Sequence, residues 1–258
     1  MSVEFYERML EEWLPGAMFP SEIWWLVQAI KETNPDVVIE CGRQDGYSTR
    51  LLAELLKDTD IKIYSIDFDE DKARLERIKG DLSSFNVECV SGDIHVRVPE
   101  ILSANHGARI AVVQDGPKGW EGMATLLASV YSSDVVLLAQ HNLHIGHESR
   151  DMFDCLSPSV AFYEFSDECR SLHDFRKLEV DRLAGVSSNR AIDHSSLGVM
   201  RLGENSRALL RKRIEDNEGK FGVWNPIKVA DAWKVKDFDY VSRLRAGMRF
   251  SMYRFKKR

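Results

Sequence analysis

Acidic residues recur along the first half of this chain, each just beyond an apolar run: Glu40 after VVI, Asp67 after IKIYSI, Asp93 after VECVSG and Asp115 after RIAVVQ. A fifth run, DVVLLA, ends in Gln140-His141-Asn142, and Lys118 follows Asp115 in DGPKG. Gly42 and Gly46 stand directly behind Glu40 in ECGRQDGYS. Such a row of carboxylates is a poor seat for a polyphosphate. It suits a ligand that carries a cation, and a carboxylate can also accept from the hydroxyls of a ribose. Beside Asp115, an imidazole with an ordinary pKa near neutrality or a lysine with a lowered one could remove a proton from an acceptor.

These residues need a frame that brings the ends of separate segments together. Val37, Val38 and Ile39 read as a buried strand, and YSTRLLAELLK beyond the glycines is compatible with a helix. The alternation repeats. IKIYSID precedes the helical EDKARLERIKG, the short VECV precedes VRVPEILSA, and RIAVVQD precedes WEGMATLLASV. DVVLLAQ is a fifth strand, VAFYEFS and SLGVMRL a sixth and a seventh. The order predicts an α/β fold with a doubly wound, mainly parallel seven-stranded sheet and helices on both faces. In such a sheet ligands bind beyond the C-terminal strand ends, where the acids fall. Residues 1–34 read as a helical segment covering the acceptor side, with Ser21 capping SEIWWLVQAIKETN. Residues 35–203 form the ligand-binding unit. Residues 204–258 are an extension that opens with an exposed charged helix and ends in the basic RLRAGMRFSMYRFKKR.

With 44% hydrophobic residues the chain can build a sizeable core, and a net charge of −6 disfavours a dedicated nucleic-acid binder. Cys41, Cys89, Cys155 and Cys169 show no CxxC pairing, as expected for free thiols in a cytoplasmic protein. MSVEFYERMLEEW lacks the basic start and apolar stretch of a signal peptide, and no run approaches the ~20 apolar residues of a membrane span.

ECGRQDGYS resembles motif I of class I S-adenosylmethionine (SAM)-dependent methyltransferases, with most likeness to the catechol O-methyltransferase-like small-molecule enzymes. IYSIDFDEDKA, VECVSGDIHVRVPEI and VVQDGPKG resemble the segments that follow in that group, and the likeness spans roughly Pro20 to Leu202. The resemblance implies SAM as cofactor and a Rossmann-like methyltransferase fold. It implies that Gly42 and Gly46 admit the methionine part, with Glu40 organising that loop and the ammonium end. Ser48 would then meet the carboxylate, Asp67 the ribose, Asp93 the adenine amino group, and Ile94 the ring. Asp115 would lie beside the transferred methyl, and Lys118 would correspond to the base. Where the metal-dependent members end strand five in Asp-Asp or Asp-Asn, this chain has His141-Asn142. The resemblance thus implies Asp115, His141 and Asn142 as the divalent-metal set, with an imidazole that suits magnesium less than other metals, and it makes His141 an alternative base.

Plainer readings stand beside these. Gly42 and Gly46 serve as turn glycines, Asp67 as a helix cap, Asp93 as a turn residue and Lys118 as a surface lysine. His141, His144 and His147 then belong to a polar loop. Phe19, Trp24, Trp25 and Trp120 are candidates for an acceptor pocket or for the core. The functional expectation is O-methylation of a small-molecule or sugar-like acceptor, by an enzyme without a membrane partner that could form a homo-oligomer. The runner-up is a SAM- or nucleotide-binding protein without transfer. An NAD oxidoreductase lacks its diphosphate-binding glycine pattern here, and a base methyltransferase lacks its N/D-P-P-Y/F motif.

Overall fold

The computed structural model describes residues 3–14, 17–117, 119–143, 148–156, 160–162, 173–183 and 197–237. Helices α1 (Val3–Glu11) and α2 (Pro20–Thr33) precede β1 (Val37–Cys41). The alternation then runs α3 (Tyr47–Leu56), β2 (Lys62–Asp67), α4 (Lys72–Leu82), β3 (Val87–Ser91), α5 (Ile94–Ala104) and β4 (Ile110–Gln114). It continues with α6 (Trp120–Ala128), β5 (Val135–Gln140), α7 (Glu148–Cys155), β6 (Ala161–Phe162), α8 (His173–Leu183) and β7 (Gly198–Arg201), and closes with α9 (Glu204–Asp216) and α10 (Pro226–Lys234). The strands form one seven-stranded sheet in the order β3-β2-β1-β4-β5-β7-β6. β1 to β5 are mutually parallel, and β7 pairs antiparallel with both β5 and β6. The expected doubly wound, mainly parallel α/β sheet is therefore present. It departs from the dinucleotide-binding order 3-2-1-4-5-6 only where β7 enters between β5 and β6.

Strand alternation sorts the side chains between two cores. Val38, Ala111, Val113, Leu137 and Ala139 pack with α1, α2 and α3 on one face. Val37, Ile39, Ile110, Val112 and Leu138 pack with α5, α6, α7 and α9 on the other. Full burial of each such side chain contributes about 1.5–3 kcal/mol. The same parity determines where the polar strand ends point. Glu40, Asp115 and His141 continue the Val38, Val113 and Ala139 rows, so they fall on the face that α2 and α3 cover.

Two local expectations are corrected, for Ser21 and for α9, and the segment VRVPEILSA gains an assignment. Ser21 does not cap α2. The helix begins at Pro20 with Phe19 as N-cap, and Ser21 in the first turn instead bonds Glu179 of α8, through its backbone N at 2.9 Å and its hydroxyl at 2.8 Å. VRVPEILSA is helical although Pro99 lies inside it, because Asp93 caps α5 and the apolar face is buried. α9 is not simply exposed. Leu210 and Ile214 are buried, and Arg207 and Arg211 donate to main-chain carbonyls between Val130 and Val135. Cys41, Cys89 and Cys155 are free thiols, and no helix of the described residues is long and apolar enough to cross a membrane. Most of VAFYEFS, Cys169 and the basic terminal stretch lie outside the described residues.

Glu179 supplies a pH test. Burial pushes its pKa up from 4.5 to about 7, against the hydrogen bonds from Tyr6 and Ser21, with the charge of Glu22 adding to the rise. A carboxyl with a raised folded pKa contributes stability that is fully present below the unfolded value and is lost as pH rises through the folded one. Denaturant unfolding should therefore show stability falling between pH 4.5 and about 7. Glu179→Gln should flatten that segment of the curve.

Candidate active site

The turn after β1 is built on a buried carboxylate. Glu40 is wholly inaccessible, and accepts from Ser48 Oγ at 2.8 Å, Thr49 Oγ1 at 2.5 Å and Ser65 Oγ at 2.7 Å. Burial pushes its pKa up, and the three hydroxyls pull it back. Ser48 and Thr49 lie in the first turn of α3 and Ser65 in β2, so one side chain ties three elements together. Glu40 thus stands under the loop, in the organising half of its expected role, and the Ser48 hydroxyl is turned toward it.

Beside it lies a pair that sequence reasoning missed. Arg43 and Asp69 form an ion pair with side chains 0% and 1% exposed. Arg43 also donates to the Ser65 carbonyl, and Ser91 Oγ donates to Asp69 at 2.7 Å. The signal was present in an arginine directly after Gly42 and the acidic run DFDED after β2, but spacing does not choose among those acids. Asp67 holds the same loop from the β2 end. Its Oδ2 accepts from the Gln44 backbone N at 2.7 Å, and its Oδ1 from Phe68 N at 2.7 Å. Gly42, at φ +98°, passes so close to β4 that an added Cβ would meet Gly116 N at 2.4 Å. Gly46, at φ +85°, is the N-cap of α3 and sits over Ile78.

In front of this loop is a cleft of about 260 Å³ beyond the strand ends, lined by Gly42, Gln44, Ile66, Asp67, Phe68, Gly92, Ile94, Gly116 and Pro117. It combines an acid at one strand end with apolar walls from Phe68, Ile94 and Pro117. That chemistry fits a ribose joined to a flat ring, so these residues fit the nucleoside part of SAM. Asp93 lies at the rim, where its carboxylate accepts from His95 N at 3.0 Å and caps α5. A narrower pocket continues from Gly42 past Ser48 to Asp115, beneath Leu14 and Ala17 of the α1–α2 connection.

Asp115 and His141 meet at the inner end. His141 Nδ1 is 2.8 Å from Asp115 Oδ1, and Nε2 is 3.2 Å from Glu22 Oε2 of α2. Asn142 Nδ2 donates to Asp115 Oδ1 at 2.9 Å. Burial pulls the His141 pKa down, but the charges of Asp115 and Glu22 outweigh it and hold it up at about 9. The two carboxylates thus favour the charged ring, which is a poor proton acceptor, and Asn142 Nδ2 also lies 2.9 Å from Nδ1. The expected metal set also fits poorly. The two carboxylates lie at opposite ring nitrogens, Asn142 turns its NH2 to Asp115, and the described residues contain no metal-holding group of three His, Cys, Asp or Glu. Lys118, His144 and His147 lie outside the described residues. Of the aromatic candidates, Trp25 is core, Phe19 stacks on Trp13 at 5.4 Å, and Trp120 meets Phe221 edge-on at 6.2 Å.

No protein-family model matches the chain, and no curated protein matches it. Solved structures do. The apo structure of CalS11, a TDP-rhamnose 3'-O-methyltransferase of calicheamicin biosynthesis, is 14% identical over 70% of this chain and 78% of its own, at a TM-score of 0.43. An O-methyltransferase from Bacillus cereus with S-adenosylhomocysteine is 12% identical over 78% and 92%, at 0.44. The S-adenosylhomocysteine-bound methyltransferase PaMTH1 of Podospora anserina is 13% identical over 78% and 87%, at 0.45. At such identities the likeness is one of fold.

Removing one partner of the Arg43–Asp69 pair leaves an uncompensated buried charge. Arg43→Met should destabilise the chain by about 3–5 kcal/mol in urea unfolding. Adding Asp69→Leu to it should recover a large part of that loss.

Proposed function

We propose that this chain is a SAM-dependent O-methyltransferase acting on a small-molecule or sugar-like acceptor. The observation that carries this reading is the cleft beyond the C-terminal strand ends, where Asp67 and the glycine loop face the apolar walls of Ile94 and Phe68. Gly42 and Gln44 line the methionine side, Asp67 takes the ribose hydroxyls, and Asp93 and Ile94 the adenine. When bound, the cofactor supplies a methyl group already activated on sulfur, so the protein's main task is alignment. Asp115 borders the pocket that continues from this cleft, and an acceptor placed there lies over the same strand ends.

An oxygen acceptor also needs its proton removed. His141 is held between two carboxylates in its charged form, so we assign this role to Lys118, which follows Asp115 by three residues. Asp115 and His141 then orient the acceptor through their charges and hydrogen bonds. One observation favours the second reading, SAM or nucleotide binding without transfer: the carboxylates of Asp115 and Glu22 on either side of His141 favour its charged form, a poor base.

Calorimetry with S-adenosylhomocysteine separates these readings from an unrelated function. The chain should bind it, and Asp67→Ala should weaken binding by about tenfold or more, a loss of at least ~1.4 kcal/mol. Absence of binding by folded protein would overturn methyl transfer and SAM binding alike, leaving only a nucleotide for the second reading. With an identified acceptor, Lys118→Ala should lower turnover by about 10²–10⁴-fold while S-adenosylhomocysteine affinity stays unchanged. Unchanged turnover would remove Lys118 as the base.

A further inference from the structure

Glu22 touches neither cofactor nor acceptor in the reading above, yet it is 1% exposed and reaches the centre of the site from α2. Its Oε2 accepts from the Phe19 backbone N at 3.0 Å and lies 3.2 Å from His141 Nε2. The first turn of α2 therefore fixes the carboxylate, and the carboxylate fixes the ring.

A divalent cation needs several donor atoms converging within about 2.0–2.6 Å of one point. The nitrogens of an imidazole point to different sides of the ring. Asp115 stands at Nδ1 and Glu22 at Nε2, so a metal on either nitrogen would have only one of these carboxylates beside it. Asn142 presents a donor, not its oxygen, to Asp115 Oδ1. All three acid and imidazole groups are buried, with exposures of 1% for Glu22, 7% for Asp115 and 5% for His141. That leaves little room for the coordinated waters that magnesium keeps.

We propose that Glu22 is a positioning residue that holds His141 against Asp115 and closes these strand ends to divalent metal, so that the acceptor is oriented by protein groups alone. The consequence for catalysis rests on the methyl-transfer reading. The structural claim does not, because metal binding is measured without cofactor or acceptor.

The test is a titration of the full chain with Mn²⁺, followed by the electron paramagnetic resonance of the free ion. The wild-type chain should show no one-to-one binding. His141→Asp, which replaces the ring by oxygen donors, should bind Mn²⁺ about tenfold or more tightly than wild type. One-to-one binding by wild type that is lost in Asp115→Asn would overturn the proposal, as would a His141→Asp variant that gains no affinity. Positioning is read separately from the ring ¹⁵N signals of His141. Glu22→Gln should shift Nε2 in a chain that still unfolds cooperatively, and unchanged ring signals would overturn the role of Glu22. S-adenosylhomocysteine calorimetry on the same samples keeps the two readings apart, since its failure would sink methyl transfer and leave the metal result standing.

Discussion

A carboxylate cut off from water lies near the end of β1, an inner strand, and the binding loop is arranged around it. Burying Glu40 without partners would be costly, and three hydroxyls from two other elements offset that cost. The arrangement dictates the position of the α3 N-terminus relative to β2. The interval between them is where the glycine loop must pass. Arg43 and Asp69 then pin the outer side of this loop, and Asp67 holds its middle through the Gln44 amide. A loop tied at three points is pre-organised, so a ligand that meets it loses less to ordering.

Much of the frame was legible in the sequence because a parallel sheet writes itself as apolar runs separated by helices. The five parallel strands and their polar ends follow from that alternation alone. What escaped was set by contacts between distant segments. α5 continues through Pro99 because its buried face and its Asp93 cap outweigh the lost main-chain bond. Ser21 reads locally as a cap, but it sits two residues past the N-cap Phe19 and is claimed by Glu179, far along the chain. The arginines of α9 read as a solvated face and are spent on carbonyls near β5.

The site divides in the same way. Gly42, Gly46 and Asp67 could be named from their places after strands, and Ile94 from the resemblance; they border one cleft or its loop. Arg43, Asp69 and Glu22 could not, because each acts through a partner that spacing does not specify. His141 was named from its position, but its second carboxylate partner, Glu22 on α2, was not. Two carboxylates in place of one favour the charged ring. Strand parity explains the trio, since Asp115 and His141 leave neighbouring strands on the face that α2 covers.

The placement of β7 has a consequence for how the chain matures on the ribosome. β1 to β5 can pair as they emerge, but β6 has no described neighbour other than β7, which is synthesised after it. Until residue 201 has left the exit tunnel, the outer flank of β5 stays unzipped, with its ladder groups open to other nascent chains.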